Sequence, residues 1–270
     1  VSLQSDKVVG SLINWALHPE ALEKANTLVS SDFVHYLRQG FEDGVGDMRG
    51  VGGISLFING AVGGLMTVSD SFKISSLADG KDYLEPGQEK IQALGESVAL
   101  LALASLSEAK TIEKAALRLE VGTYKLPIAN KGFKLMMGLG ILDRGLVDYT
   151  QGILAEVGAL KIGPASFLSV PGEAYPETFV GGPPALFSAD YPDEDSRQPL
   201  REAMSGDYRF VLGLTGGFLG YLIPKNQWDV KPPYLDAKAR PPYGEVNSLG
   251  SDAEAAYYQA ARKVLGRISD

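Results

Sequence analysis

Four places in the sequence combine residue types that could do chemistry. The first is His18, at the end of the apolar run in residues 8–20, VVGSLINWALHPE. The second is Glu173, after the apolar run and Pro-Gly of SFLSVPGE, and the third is Tyr221, in VLGLTGGFLGYLIP. The fourth is the pair Gly63 and Gly64 in GAVGGLMTVSD, whose backbone amides could approach a ligand. His18, at a predicted strand-to-helix junction, stands where ligand and metal sites are commonly built. Taken singly, each has an ordinary reading as well. A histidine ending a strand is often a partly buried hydrogen-bonding residue, a glutamate after Pro-Gly often starts a helix, and paired glycines often make a tight turn. The glycines at 60, 63 and 64 do not have the spacing of a phosphate-binding loop.

The elements that must position these residues can be read from periodicity. Residues 8–17 have the β-branched and aromatic content of a buried strand, and Pro19 suits the first turn of a helix over EALEKANTLV. A second helix is expected near Asp32, capped by Ser30 or Ser31, which would leave His35 with surface or packing chemistry. FEDGVGDMRGVGG reads as a glycine-rich loop and ISLFING as a second core strand. Residues 86–107 carry Ile91, Leu94, Val98 and Leu101 at helical spacing. Residues 117–124 read as a strand, and residues 156–170 as a hairpin turning at Gly163-Pro164. Residues 208–215 form a further apolar strand, and residues 252–268 a last amphipathic helix. Between them GFKLMMGLGILDRG sets Met136 and Met137 among glycines, which suits loosely packed core or the lining of a lipid-accepting groove. Strands alternating with helices and long Pro-rich loops predict one α/β domain with mixed sheets.

Composition narrows the function. The chain has 270 residues, 45% of them hydrophobic, a net charge of −8 and no cysteine. The acidic balance, with no cluster of Lys and Arg, argues against a nucleic-acid partner. Without cysteine, any metal must use His, carboxylate or phenolate. No apolar run reaches the length of a transmembrane segment, and no signal peptide is visible.

Taken together, INWALHPE with LVSSDFVHYLR, then SFLSVPGE, then VLGLTGGFLGYLIP with the later YGEVNSLG, resemble the neutral or alkaline, non-lysosomal ceramidase family in the same order along nearly the whole chain. The resemblance implies a zinc-dependent hydrolase of an amide bond in an N-acylated, lipid-like substrate. Its zinc would be held by His18, Glu173, Tyr221 and a second histidine. That histidine lies upstream of anything matched here, so a companion N-terminal segment or chain is expected, and the chain reads as the C-terminal portion of one such domain. The family's nucleophilic serine falls on Met66, with Thr67 and Ser69 nearby. A thioether cannot attack an amide, which leaves water activated by zinc, with Tyr221 as ligand and hydrogen-bond donor and Gly63 and Gly64 as oxyanion donors. Glu245, in the YGE phrase, would orient a ligand, and Asn14 would either brace its strand or touch substrate. The family's habit implies a secreted or periplasmic location. A second, structural Ca2+ or Mg2+ would have the acidic run at residues 190–195 as its place. Three readings compete: a zinc hydrolase of another ester or amide, a metal- or ligand-binding homologue without catalysis, and a shared fold alone.

Overall fold

A computed structural model describes all residues except 6, 69, 143–145, 149–151, 183–187, 195–196, 236–238 and 270. The class is mixed α/β, and the chain divides into two compact units. One holds residues 1–59 and 65–111; the other holds residues 60–64 and 112–270.

In the first unit β1 (Ser2–Gln4) runs antiparallel to β2 (Lys7–Trp15), and β2 pairs in parallel with β5 (Ile54–Asn59). The parallel pairing requires a crossover, which α1 (Phe33–Asp43) provides. Two-residue ladders, β3 (Gly44–Val45) with β4 (Met48–Arg49) and β6 (Ile74–Ser75) with β7 (Asp82–Tyr83), punctuate the connections. The core is built on Phe33, whose ring meets Trp15 and Phe57 edge-on at 5.6 and 5.8 Å. Against α1 lies α2 (Gln88–Ser105), burying Ile91, Leu94, Ala99 and Leu103. Leu101, expected on the same face, is exposed, and the buried residues continue instead through Ala99 and Leu103. Residues Gln88–Glu108 are long and apolar enough, by length and composition, to cross a membrane, although no single apolar run in the sequence is. Here that helix serves as the packing partner of α1.

The expected helix after Pro19 does not form. Only a 3-10 turn at Glu23–Ala25 appears, with Glu23 at φ +55° and Asn26 extended. The cause is Asp32, whose side chain accepts hydrogen bonds from Leu22 N at 2.9 Å and Phe33 N at 2.8 Å. Asp32 therefore caps α1 itself and draws the 22–32 loop closed, while Ser30 Oγ accepts from Asp32 N.

In the second unit a five-stranded sheet has the path β13 (Tyr208–Leu212), β11 (Ala165–Ser169), β10 (Gly152–Ile162) and β8 (Leu117–Leu126), with β9 (Leu146–Asp148) also on β10. The hairpin turns at Gly163-Pro164 as expected, and β11 pairs with β13 in parallel. Along β10, Ile153, Ala155, Val157 and Ala159 are buried at alternate positions, the signature of a strand with one covered face. The cover is α7 (Ala253–Ser269), through Tyr257, Ala261, Val264 and Leu265. The remaining elements are α3 (Lys131–Gly138), the short parallel pair β12 (Glu173–Ala174) and β14 (Tyr221–Leu222), and the single-turn helices α4 (Glu177–Val180), α5 (Leu200–Ala203) and α6 (Tyr243–Val246).

Candidate functional site

Glu173 and Tyr221 are brought together by backbone. They are register partners in the parallel β12–β14 ladder, with Glu173 N donating to Gly220 O at 3.1 Å. Tyr221 continues to the next segment, its N–H donating to Asn247 O and its carbonyl accepting from Ser248 Oγ at 2.7 Å. Gly63 N donates to Ala174 O at 2.9 Å, which draws the 60–64 turn onto β12. This crowding depends on glycine. A methyl on Gly172 would collide with the Gly220 carbonyl, one on Gly220 with the Asn247 carbonyl, and one on Gly63 with the Glu173 carbonyl.

The packed backbones set the electrostatics. Glu173 is buried. Burial pushes the Tyr221 phenol up from its ordinary value, and the Glu173 carboxylate, which accepts its hydrogen bond, pushes it further; Tyr243 and Tyr175 add smaller effects. The phenol therefore stays protonated and donates to the carboxylate. The Tyr243 ring lies edge-on to Tyr221 at 5.9 Å. On the other side, Tyr175 packs so closely that a methyl on Gly64 would press on its ring and one on Gly244 on its hydroxyl, and its phenol is likewise held protonated by burial, with Glu245, Glu177 and Glu173 contributing.

Both oxygen donors also line a cavity of about 300 Å³. Phe133 and Met137 of α3, with Leu142, Ile153, Leu219 and Leu249, make its apolar wall, while Glu173, Tyr221, Tyr243 and Asn247 contribute the polar groups. So Met137, from the glycine-flanked segment, lines a groove while remaining buried. Asn130 fixes this wall: its side chain accepts from Gly132 N and Phe133 N to cap α3, and donates to Val246 O and Ser248 O. The segment that holds Tyr221 thus also holds α3. Asn130 was not among the residues singled out from sequence; its Asn-Lys-Gly context at a helix start was the available signal.

The other expected site residues fall differently. His18 belongs to the first unit, in the loop after β2, where its carbonyl accepts from Glu20 N and from Thr67 Oγ1, both at 3.0 Å. The Asn59 amide, at the end of β5, is hydrogen-bonded to the Leu17 backbone. His35 is exposed on α1, its ring edge-on to Tyr36 at 5.0 Å. Asn14 donates to Ile58 O at 2.9 Å and so braces the β2–β5 pair. Met66 is 73% exposed, whereas Thr67 is buried with its hydroxyl committed to His18 O. Ser69 lies outside the described residues. Gly63, expected to offer its amide to an oxyanion, has that amide committed to Ala174 O, so of the two glycines the role can fall only to Gly64.

Glu245 is buried on α6 with Oε2 lacking a partner, and burial beside the Asp229 and Asp190 carboxylates pushes its pKa up to about 7. In the acidic run, Asp190 uses both carboxylate oxygens on the Val230 and Lys231 amides, which makes it a loop brace. Asp195 lies outside the described residues. Among the described residues no three His, Asp or Glu side chains come close enough to hold a metal. The donor chemistry of the second unit fits a divalent cation in part: Glu173 and Tyr221 are two hydrogen-bonded oxygen donors that could serve as ligands.

Neither a comparison with protein families nor one with curated protein sequences finds a match. Among solved structures, the fold is similar to the neutral ceramidase from Pseudomonas aeruginosa, at 13% identity over 94% of this chain and 43% of that one, with a TM-score of 0.54. It is also similar to a ceramidase complexed with C2, at 13% identity over 94% of this chain and 45% of that one, with a TM-score of 0.57. The chain thus has a ceramidase-like fold and spans less than half the length of these structures.

Proposed function

We propose that this chain carries part of the active centre of a hydrolase that cleaves the amide bond of ceramide-like, N-acylated lipids. The observation that carries the reading is the Glu173–Tyr221 pair set in the wall of a cavity lined largely by apolar side chains. An acyl chain gains by leaving water for Phe133, Met137 and Leu249, and the amide then lies against the polar side chains of the lining. The likeness to ceramidase structures supports the same substrate class. With Tyr221 held protonated at neutral pH, its O–H can donate to the oxygen on which charge develops, and the Gly64 amide can add a second donor.

The nucleophile in this reading is water, since Met66 has no attacking atom for an amide and the Thr67 proton is engaged by His18 O. Water adds to the carbonyl carbon, the C–N bond breaks, and the amine departs with a proton, leaving a fatty acid. Glu173 and Tyr221 would hold zinc through oxygen, with His18 as the nitrogen ligand that the resemblance assigns. When bound, zinc supplies an electrophile for the carbonyl. The rival reading, a binding protein without turnover, is favoured by Met66 alone.

Elemental analysis of the zinc-loaded protein, combined with hydrolysis of a short-chain fluorescent N-acylsphingosine, tests the proposal. About one zinc per chain is expected, with turnover lost on zinc removal and reduced at least about a hundredfold in Tyr221→Phe. His18→Ala should lose the metal. Zinc bound at full occupancy without turnover would leave the binding protein; zinc retained in His18→Ala would remove His18 from the ligand set.

A further inference from the structure

Helix α3 is apolar on two sides. Phe133 and Met137, four residues apart, face the cavity. Leu135 and Leu139, also four apart and displaced by half a turn, are 63% and 65% exposed, and Ile141 just beyond the helix is 65% exposed. A surface helix that only closed a cavity would present polar residues outward. Where the cavity reaches solvent, the residues that both line it and stay exposed are again apolar or aromatic: Phe218 and Tyr243. Val246, exposed on α6, is tied by its carbonyl to the Asn130 cap of α3. The charged residues of α3 are Lys131 and Lys134, both exposed, on a chain whose net charge is −8.

From this we infer that the outer face of α3, with the cavity rim, is a docking surface for an anionic lipid layer, through which an amphiphile passes directly from the layer into the cavity. This rests on the reading of the cavity as a lipid-amide site and adds how the substrate reaches it. The leucines insert at the headgroup boundary, the lysines meet anionic headgroups, and the aromatic rings of Phe218 and Tyr243 sit at the same level. A lysine-bearing rim on an acidic protein makes an anionic layer the fitting partner, since the rest of the surface charge would oppose such contact.

Cosedimentation with vesicles of phosphatidylcholine containing about a third phosphatidylglycerol tests this without requiring turnover. The double variant Leu135→Glu with Leu139→Glu should lose at least about tenfold in vesicle affinity while keeping its thermal midpoint, since both side chains already face water. Lys131→Gln with Lys134→Gln should lose the preference for anionic over pure phosphatidylcholine vesicles. Hydrolysis of a monomeric short-chain substrate, if the chain is active, should be unchanged in both variants. Equal vesicle binding by the parent and the leucine variant overturns the inference. So does a concentration-dependent dimer in sedimentation that the leucine variant abolishes, because the face would then be covered by a second copy. An inactive chain that still binds vesicles through α3 would sink the hydrolase reading and leave the docking surface standing.

Discussion

The loop after β2 and the loop after β11 begin with the same device in sequence, an apolar strand running into a proline beside a side chain able to bind metal. After β2 the order is Leu17, His18, Pro19, Glu20; after β11 it is Val170, Pro171, Gly172, Glu173. The backbones that follow are unlike. The first loop is held by side chains, Thr67 and Asn59 on its near end and Asp32 across its far end. The second is held by main chain against main chain, with Gly172 and Gly220 admitting neighbouring carbonyls and a two-residue ladder setting Glu173 opposite Tyr221. A glycine directly before the reactive residue marks the place where strands converge, and at Tyr221 the convergence buries the phenol beside Glu173 and raises its proton affinity.

The sharpest way to break this contrast is to add a methyl where main chains converge and where they do not. Gly220→Ala places a side chain at φ +79° and into the Asn247 carbonyl. Strain and collision together should cost about 3 kcal/mol or more. Gly46→Ala, at φ +56° in the first unit, meets nothing within 4 Å and should cost about 1 kcal/mol, from backbone strain alone. Urea midpoints measure both. Equal losses would mean that the glycines before the site residues serve only to turn the chain.

A smaller effect sharpens the electrostatic half of the comparison. Glu245 has a folded-state pKa near 7, above its ordinary value of 4.5, with burial the first cause and Asp229 and Asp190 adding to it. The folded chain therefore binds this proton more tightly than the unfolded chain. Stability that is full below about pH 4.5 is lost as pH rises toward 7, by up to about 3 kcal/mol. Tyr175 also feels this carboxylate and stays neutral throughout the range. Glu245→Gln cannot ionise, so its unfolding free energy should fall less between pH 5 and 8 and should exceed that of the parent at pH 8. Parallel pH curves for parent and variant would show that Glu245 gives up its proton without consequence.

The legible parts of the sequence were those in which period and composition agree. The alternation of Ile153, Ala155 and Val157, the turn at Gly163-Pro164 and the helices at α2 and α7 needed only local patterning. The strand-end positions of Glu173 and Tyr221 were also visible, although their exact pairing was not, because register between segments 48 residues apart carries no local signature. The missing helix after Pro19 failed for a long-range reason: Asp32 captures Leu22 N across ten residues. Gly63 illustrates the same limit, since flexibility makes an amide available only until the fold finds it an acceptor, here Ala174 O. Asn130, which joins α3 to the segment bearing Tyr221, spans 116 residues to Val246 and was invisible for that reason.

The smallest expected effect concerns the side-chain clasp itself. Asp32 is buried at φ +54°, with one carboxylate oxygen on Leu22 N and the other on Phe33 N. Replacing it by alanine removes the cap of α1 and the closure of the 22–32 loop while keeping the strained backbone, at a cost of about 1 to 2 kcal/mol. Asp32→Gly loses the same two bonds but relieves the positive φ, so it should be the milder substitution by several tenths of a kcal/mol. Amide hydrogen exchange locates the damage: Leu22 and Phe33 should lose protection, whereas Glu173 and Tyr221, held by main-chain pairing, should keep theirs. If protection falls equally at all four amides, the two ways of fixing a loop are one cooperative unit, and the distinction drawn between them does not hold.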